Sequence, residues 1–309
     1  MQEGHTEEDF TVKFFLYWSA LSFDSAYLFA ILALSPFLSR ERFWYYITAL
    51  KFASFMKVNL KMLYSEPRPL FVWSDLSSIG CATTFGSPSG HSTMSSCAAA
   101  LIVLDLFFSS EWGQRKLPEL NKMTPRSHPI SFVLVSLAAV SWWLTTLFDR
   151  VFLGKHTLNQ IVLGSQLGIW CACFQHFVFR DLLFSHINKI TSDPAQLARG
   201  TAIKYCLKAT FVICLTILVT FAVGFTMNSV ATLKQEWLVN LRDTCGEVYE
   251  QDEDGNLIAN QSGLYIGSMI SFVNVMLILG LYIGQVMFRL SGAGRLCFDS
   301  YASKGSILL

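Results

Sequence analysis

The sequence predicts an all-α fold, a bundle of about seven membrane-spanning helices, and three observations predict it. Hydrophobic residues make up 52% of the 309 and charged residues only 15%, where a soluble domain carries about 25% charged. Mean hydropathy is +0.43. Apolar stretches of about 20 residues, the length a bilayer core requires, recur along the chain. They fall at roughly 14–37, 43–63, 92–109, 130–148, 158–179, 207–228 and 264–288. No long repeat and no low-complexity segment divides them, so residues 1–309 read as a single integral-membrane domain.

The stretch at 14–37 is apolar apart from Asp24, and the first ten residues are acidic rather than basic, so it reads as a span and not as a cleavable signal. The second, 43–63, is interrupted by Lys51 and Lys57, and the third carries Asp105. Charges at such depth are expected to face the bundle interior or a water-filled cavity. The fourth ends just before Arg150 and the fifth opens just after His156. An acidic stretch, 235–262, separates the last two.

Seven spans put the N-terminus and loops 2–3, 4–5 and 6–7 on one face. Lys and Arg number 7 on that face and 14 on the other, with Lys51 and Lys57 inside a span completing the 23. Positive charge marks the cytoplasmic side, so the first face, with the N-terminus, reads as lumenal or exoplasmic and the C-terminus as cytoplasmic. The sequon Asn260-Gln261-Ser262 falls on the same lumenal face and makes Asn260 a glycosylation candidate. Cys81 and Cys245 would share that oxidising compartment, as a pair or as two thiols. A net charge of +1 without a basic run argues against a nucleic-acid partner. The eight cysteines lack metal or CxxC spacing, which argues against a zinc or redox site.

Three short motifs carry chemistry, and all lie on the lumenal face. The first runs from Lys61 to Arg68-Pro69: a mobile point charge at a helix end and a rigid fork on a turn stiffened by Pro67 and Pro69. Two such cations suit one phosphate, although taken alone they read more readily as side chains reaching for the interface. The second, Ser87-Pro88-Ser89-Gly90-His91-Ser92, opens an apolar helix. A helix start presents N–H groups and partial positive charge, and Gly90 lets a ligand approach the backbone. The bland alternative is a capped helix with an incidental His91. The third runs from Arg150 to His156 and Gln160. Gln160 shares a helical face with His156 and is placed to fix its ring, leaving the other ring nitrogen to act as a nucleophile. Lys155 reads as an interfacial lysine. His5, His128, His176 and His186 read as structural or surface groups.

Together the motifs resemble the type-2 phosphatidic-acid phosphatase superfamily, whose pattern is K-x6-R-P, then P-S-G-H, then S-R-x5-H-x3-D. Lys61, Arg68, Pro69, Pro88, Ser89, Gly90, His91, Arg150 and His156 match it, whereas Asp149 stands for the usual Ser and Gln160 for the usual Asp. Gln160 and the string Gly86-Ser-Pro-Ser-Gly-His91 are also similar to the glucose-6-phosphatase branch. The resemblance implies a six-helix phosphatase core, motif-bearing over about 43–180, with additional spans at 207–228 and 264–288. It implies a metal-independent phosphomonoesterase without cofactor. His156 forms a phosphohistidine, His91 is the acid and base, and Lys61, Arg68 and Arg150, with N–H groups near Ser89 and Gly90, hold the phosphoryl oxygens. The implied substrate is a lipid phosphate or a sugar phosphate, and the implied location is the endoplasmic reticulum or another endomembrane.

Two further readings remain at this point. Gln160 supports an inactive membrane subunit that keeps the fold and an anion or lipid pocket, with membrane-protein partners on its last two spans. The intramembrane charges Asp24, Lys51, Lys57 and Asp105 support a transporter or channel.

Overall fold

The computed structural model describes residues 10–22, 24–73, 84–108, 129–191, 199–245, 250–251, 257–258, 262–273 and 275–290. The Asn260 sequon, Cys81 as a partner for Cys245, and His5 and His128 lie outside the described residues.

The first expected span is two helices, α1 (Phe10–Leu21) and α2 (Asp24–Leu34), bent 63° apart. The bend has a local cause. Ser22 N–H closes α1 onto Trp18 and Ser19 carbonyls, and Asp24 opens α2 with its carboxylate turned to Ser54 and Lys57. An acid in the first turn suits the helix dipole. Next comes α3 (Arg40–Tyr64), capped by Ser39, whose hydroxyl accepts from Arg42 N–H at 3.3 Å. It ends at Ser65, left-handed at φ 47°, because Pro67 bars Glu66 from continuing it. A single turn, α4 (Pro69–Val72), leads away from Arg68.

Then follow α5 (Gly90–Phe107), α6 (Pro129–Phe152) and α7 (Leu158–Phe174). A π-helical turn, Gln175–Phe179, joins α7 to α8 (Arg180–Thr191), so the fifth span runs on to Ile190 rather than ending near 179. The rest is α9 (Arg199–Val230), α10 (Gln235–Cys245), a two-residue antiparallel ladder pairing Glu250 with Ile258 and Gln251 with Leu257, α11 (Ser262–Val273) and α12 (Met276–Leu290).

Among the described residues five helical stretches are long and apolar enough to cross a membrane, six if α1 and α2 form one bent span. The expected seven included α3, whose 25 residues span about 37 Å at 1.5 Å each but are diluted by Lys51, Lys57, Asn59 and Lys61. All four are buried, so α3 is the inner helix and turns its polar groups into the bundle. Lipid-type faces lie elsewhere: Leu134, Leu137 and Phe148 on α6 and Phe211, Leu218 and Phe225 on α9 are exposed. These helices point to an integral membrane protein.

Two seams position the site. Gly164 and Gly168 lay α7 directly on α5: a Cβ at 168 would stand 2.1 Å from Ser96 Oγ and 2.2 Å from the Thr93 carbonyl oxygen, and one at 164 only 2.6 Å from the Ser89 carbonyl oxygen. Small residues permit such backbone approach. The starts of α5 and α7 are therefore side by side, and Ser89 N–H donates to the Gln160 carbonyl at 3.0 Å. On the other flank α9 and α11 close on α3. Asn59 Nδ2 donates to Thr220 Oγ1 at 3.2 Å, and Ser65 Oγ lies 2.7 Å from Tyr265 Oη. One side of each of these helices thus rests on α3, while Phe211, Leu218 and Phe225 of α9 stay exposed. At the far end of the bundle Asp105, 1% exposed, accepts from Tyr46 and pairs with Arg42 and Arg180. His176 and His186 bond to Tyr45 and Tyr282, which are cross-helix structural roles.

Candidate phosphate site

Four helix ends meet at one end of the bundle: the C-terminus of α3, the N-terminus of α5, the C-terminus of α6 and the N-terminus of α7. They bring Lys61, Arg68, His91, Arg150, His156 and Gln160 together, and Lys61, Arg68, Arg150, His156 and Gln160 are nearly fully buried.

A single chain of hydrogen bonds fixes His156. Gln160 Nε2 donates to the Pro67 carbonyl at 2.8 Å, while its Oε1 accepts from Thr157 N–H at 3.3 Å within a capping box. A carbonyl on one side and an N–H on the other leave the amide one orientation. Oε1 therefore faces His156 Nδ1 at 3.2 Å, and Nδ1 must carry the proton. Nε2 is then a lone pair, and Arg68 Nη1 donates to it at 3.1 Å. Gly86 makes room for this arrangement. A Cβ there would stand 2.5 Å from Gln160 Nε2 and 2.7 Å from Cδ and Oε1.

Arg68 is locked by its other donors: Nε to the Thr84 carbonyl at 2.5 Å, Nη2 to Thr84 Oγ1 at 2.9 Å and Nη1 also to the Lys155 carbonyl at 3.2 Å. Lys61 Nζ donates to the Phe85 carbonyl. Neither faces a carboxylate in these contacts. Arg150 differs, because the neighbouring Asp149 accepts from its Nη2 at 2.7 and 2.9 Å and from its Nε at 3.2 Å. Its Nη1 points to His91 Nδ1 at 3.4 Å. The Asp in place of Ser thus orients this fork against His91.

Burial, and next the charge of Arg150, push Arg68 down to about 9. A guanidinium keeps its proton, so the cost appears as affinity for an anion. Lys155 is half-buried rather than a solvated interfacial lysine, and burial followed by Arg150 and Arg68 lowers it to about 8. Burial first, then Arg68 and Lys61, hold His156 well below the ordinary imidazole range, so it stays neutral.

The helix start differs in detail from the sequence reading. Ser89 N–H is taken by the Gln160 carbonyl and so faces α7 rather than an incoming phosphate. Ser89 makes no side-chain cap, and its hydroxyl accepts from Ser92 Oγ at 3.0 Å. Gly90 remains the open residue, with Lys57 Nζ lying 3.6 Å from where its Cβ would be. Sequence reasoning missed the seating of Gln160 against Gly86, the parts of Thr84 and the Pro67 carbonyl, and the Asp24–Lys57 pair beside Gly90. The available signals were the glycine in Phe85-Gly86-Ser87, the lone acid Asp24 in an apolar run and the basic residues interrupting the second run.

Comparison with known proteins agrees with the motifs. Residues 42–184 match the model of a family described as the PAP2 superfamily, just under half of the chain, which supports phosphatase activity in general and a phosphorylated substrate. No curated protein matches, and no solved structure matches. The match ends before α9, so the helices closing on α3 from the C-terminal side, and α1 and α2, lie outside it.

Proposed function

We propose that this chain, whose residues 42–184 are a PAP2-superfamily segment, is a membrane phosphomonoesterase working through a phosphohistidine at His156. One observation carries the reading: the bond chain Pro67–Gln160–His156–Arg68 puts a lone pair on Nε2 beside a buried guanidinium. In the resting site Arg68 covers that lone pair. An arriving phosphoryl oxygen takes the Arg68 donor and so frees Nε2 opposite the phosphorus.

Attack forms the N–P bond and breaks the ester P–O bond. The leaving oxygen takes a proton from His91. Arg150 donates to His91 Nδ1 at rest, which puts the His91 proton on Nε2. When the phosphoryl group takes the Arg150 donor instead, Nδ1 can bind a second proton, and the imidazolium is the acid. Water then attacks phosphorus, giving its proton to His91 as the N–P bond breaks. Gln160 is a positioning residue throughout: its Oε1 holds Nδ1–H and takes part of the positive charge that phosphorylation places on the ring. Lys61, Arg68 and Arg150 offset the phosphoryl charge in a buried setting, where such donors count most. They fill the role that a metal ion fills elsewhere, so release should persist in a chelator.

The substrate is a phosphomonoester whose phosphoryl group reaches the end of the bundle. Lipid phosphates meet the site at that interfacial height, and a sugar phosphate is the alternative. Arg40, Arg42, Arg180, Lys189 and Arg289 gather toward the opposite end, which supports a cytoplasmic assignment there and a lumenal one for the site. Resemblance supports the endoplasmic reticulum as the membrane.

The test is phosphate release by purified protein in detergent with chelator, against phosphatidate, a sphingoid-base phosphate, an isoprenoid diphosphate and glucose 6-phosphate. His156→Ala runs alongside. Release that vanishes in the variant supports the enzyme and chooses its substrate class. Wild-type protein that binds phosphate yet releases none from all four would instead make this a phosphate-binding membrane subunit.

A further inference from the structure

Lys57 is a buried cation that the reaction above leaves unused. It stands one turn before Lys61 on the same face of α3 and is only 8% exposed. Asp24 of α2 holds it, and the carboxylate's second oxygen accepts from Ser54 Oγ at 2.8 Å. The ammonium nitrogen lies 3.6 Å from where a Cβ at Gly90 would stand, with Cδ at 3.8 Å and Cε at 3.9 Å, so the side chain's end lies over the first residue of α5.

That position is electrostatically costly. Gly90 opens a helix whose cap makes no side-chain bond, next to His91, and the positive end of the helix repels an ammonium group. Lys61 adds a like charge one turn away. Among the described residues, the ion pair with Asp24 is what offsets these terms in the resting site. A phosphate dianion at Gly90 would offset all of them together.

We propose that Lys57, tethered by Asp24, is a fourth cation of the phosphoryl pocket and that Asp24 sets how much of its charge the phosphate receives. The ammonium group is shared between carboxylate and phosphoryl oxygen. Lys57 tightens the bound dianion, and Asp24 limits that gain so that product phosphate can leave. The counterweight comes from α2, outside the segment that matches the family model. The proposal rests on the phosphatase reading only for where the phosphate sits, so it is tested by binding rather than by turnover.

The experiment is calorimetric titration of the purified full chain in detergent with inorganic orthophosphate at pH 7.5, comparing wild type, Lys57→Met, Lys57→Arg and Asp24→Asn. Lys57→Met should weaken binding at least about tenfold, the scale of one lost charge-assisted hydrogen bond. Lys57→Arg, which keeps the charge, should stay within about threefold of wild type, well inside that scale. Asp24→Asn should bind phosphate more tightly than wild type. The opposite signs are the point, since a purely structural ion pair would weaken binding from either side. Equal weakening by Lys57→Met and Asp24→Asn, or wild-type affinity in Lys57→Met, overturns the proposal. If Lys57→Met does not fold, Asp24→Asn alone decides: tighter binding supports the proposal, and unchanged or weaker binding sinks it. Phosphate binding with no ester hydrolysis would refute the phosphatase reading and leave the Lys57 result standing. Hydrolysis with no Lys57 effect would do the reverse.

Discussion

Gly86→Ala should damage turnover although position 86 touches no substrate. Its added methyl would stand 2.5 Å from Gln160 Nε2 and 2.7 Å from Cδ and Oε1. Ordinary contact is about 3.5–4.0 Å, so the amide must retreat by about 1 Å. Gln160 cannot slide freely, because its amide holds Pro67, Thr157 and His156 at 2.8, 3.3 and 3.2 Å. Losing those bonds at about 1 kcal/mol net each lowers stability by up to about 3 kcal/mol. A displacement of about 1 Å at the His156 ring lowers kcat about 100-fold, or about 2.7 kcal/mol of barrier. The assay is phosphate release with the best substrate of the panel, with thermal unfolding in parallel. Gln160→Ala supplies the control, since Gly86→Ala added to it has nothing to strike and should cost little more. Wild-type turnover and an unshifted melting temperature in Gly86→Ala would refute the claim that this glycine exists to seat Gln160.

Four further outcomes follow from the same geometry. His156 is held neutral by burial and by Arg68, so kcat/KM should show no nucleophile titration near the ordinary imidazole value of about 6.5. Lys155 lies within electrostatic reach of Arg150 and Arg68 and adds to the positive field of the pocket, so kcat/KM should fall as pH rises through about 8, where Lys155 loses its charge, and Lys155→Met should remove that alkaline step. Stability follows a different course. It falls as pH drops below about 6.5, because the unfolded chain takes up a proton that folded His156 refuses, and it rises between about 8 and 10.5 as unfolded Lys155 stays protonated. Arg68→Lys keeps the charge but loses the fork that holds Thr84, the Lys155 carbonyl and His156 together, so kcat should drop about 100- to 1000-fold in steady-state kinetics. Gly168→Ala drives a methyl to within 2.2 Å of the Thr93 carbonyl oxygen, a backbone atom, and should abolish monodisperse folded protein on size-exclusion chromatography.

The sequence made the site's cast legible because each member sits at a helix end marked by its own punctuation. Pro67 stops α3 just past Lys61, the Ser-Pro-Ser-Gly string starts α5, and the i, i+4 spacing of His156 and Gln160 is local. What it could not give were contacts made by one element on another. Gly86 meets Gln160 from a different loop, and the Pro67 carbonyl orients an amide 93 positions away. The sequence shows Asp24 as a charge facing inward within one continuous span. The structure instead breaks the span at that point, because the carboxylate opens α2 and pairs with Lys57. Hydropathy likewise left α3 ambiguous, since its lysines read as interruptions and are in fact its inward face. The α5–α7 seam was written in Gly164 and Gly168, but small residues four apart acquire meaning only once their partner helix is known.

The most direct test of the central claim is trapping the covalent intermediate. Purified protein is mixed with a 32P-labelled substrate of the class selected by the release assay, quenched in alkali within one turnover, digested and mapped. The account predicts alkali-stable, acid-labile label on His156, absent from His156→Ala and formed no more slowly than phosphate is released. Label on another residue, or His156→Ala protein that still releases phosphate at the wild-type rate, would contradict it.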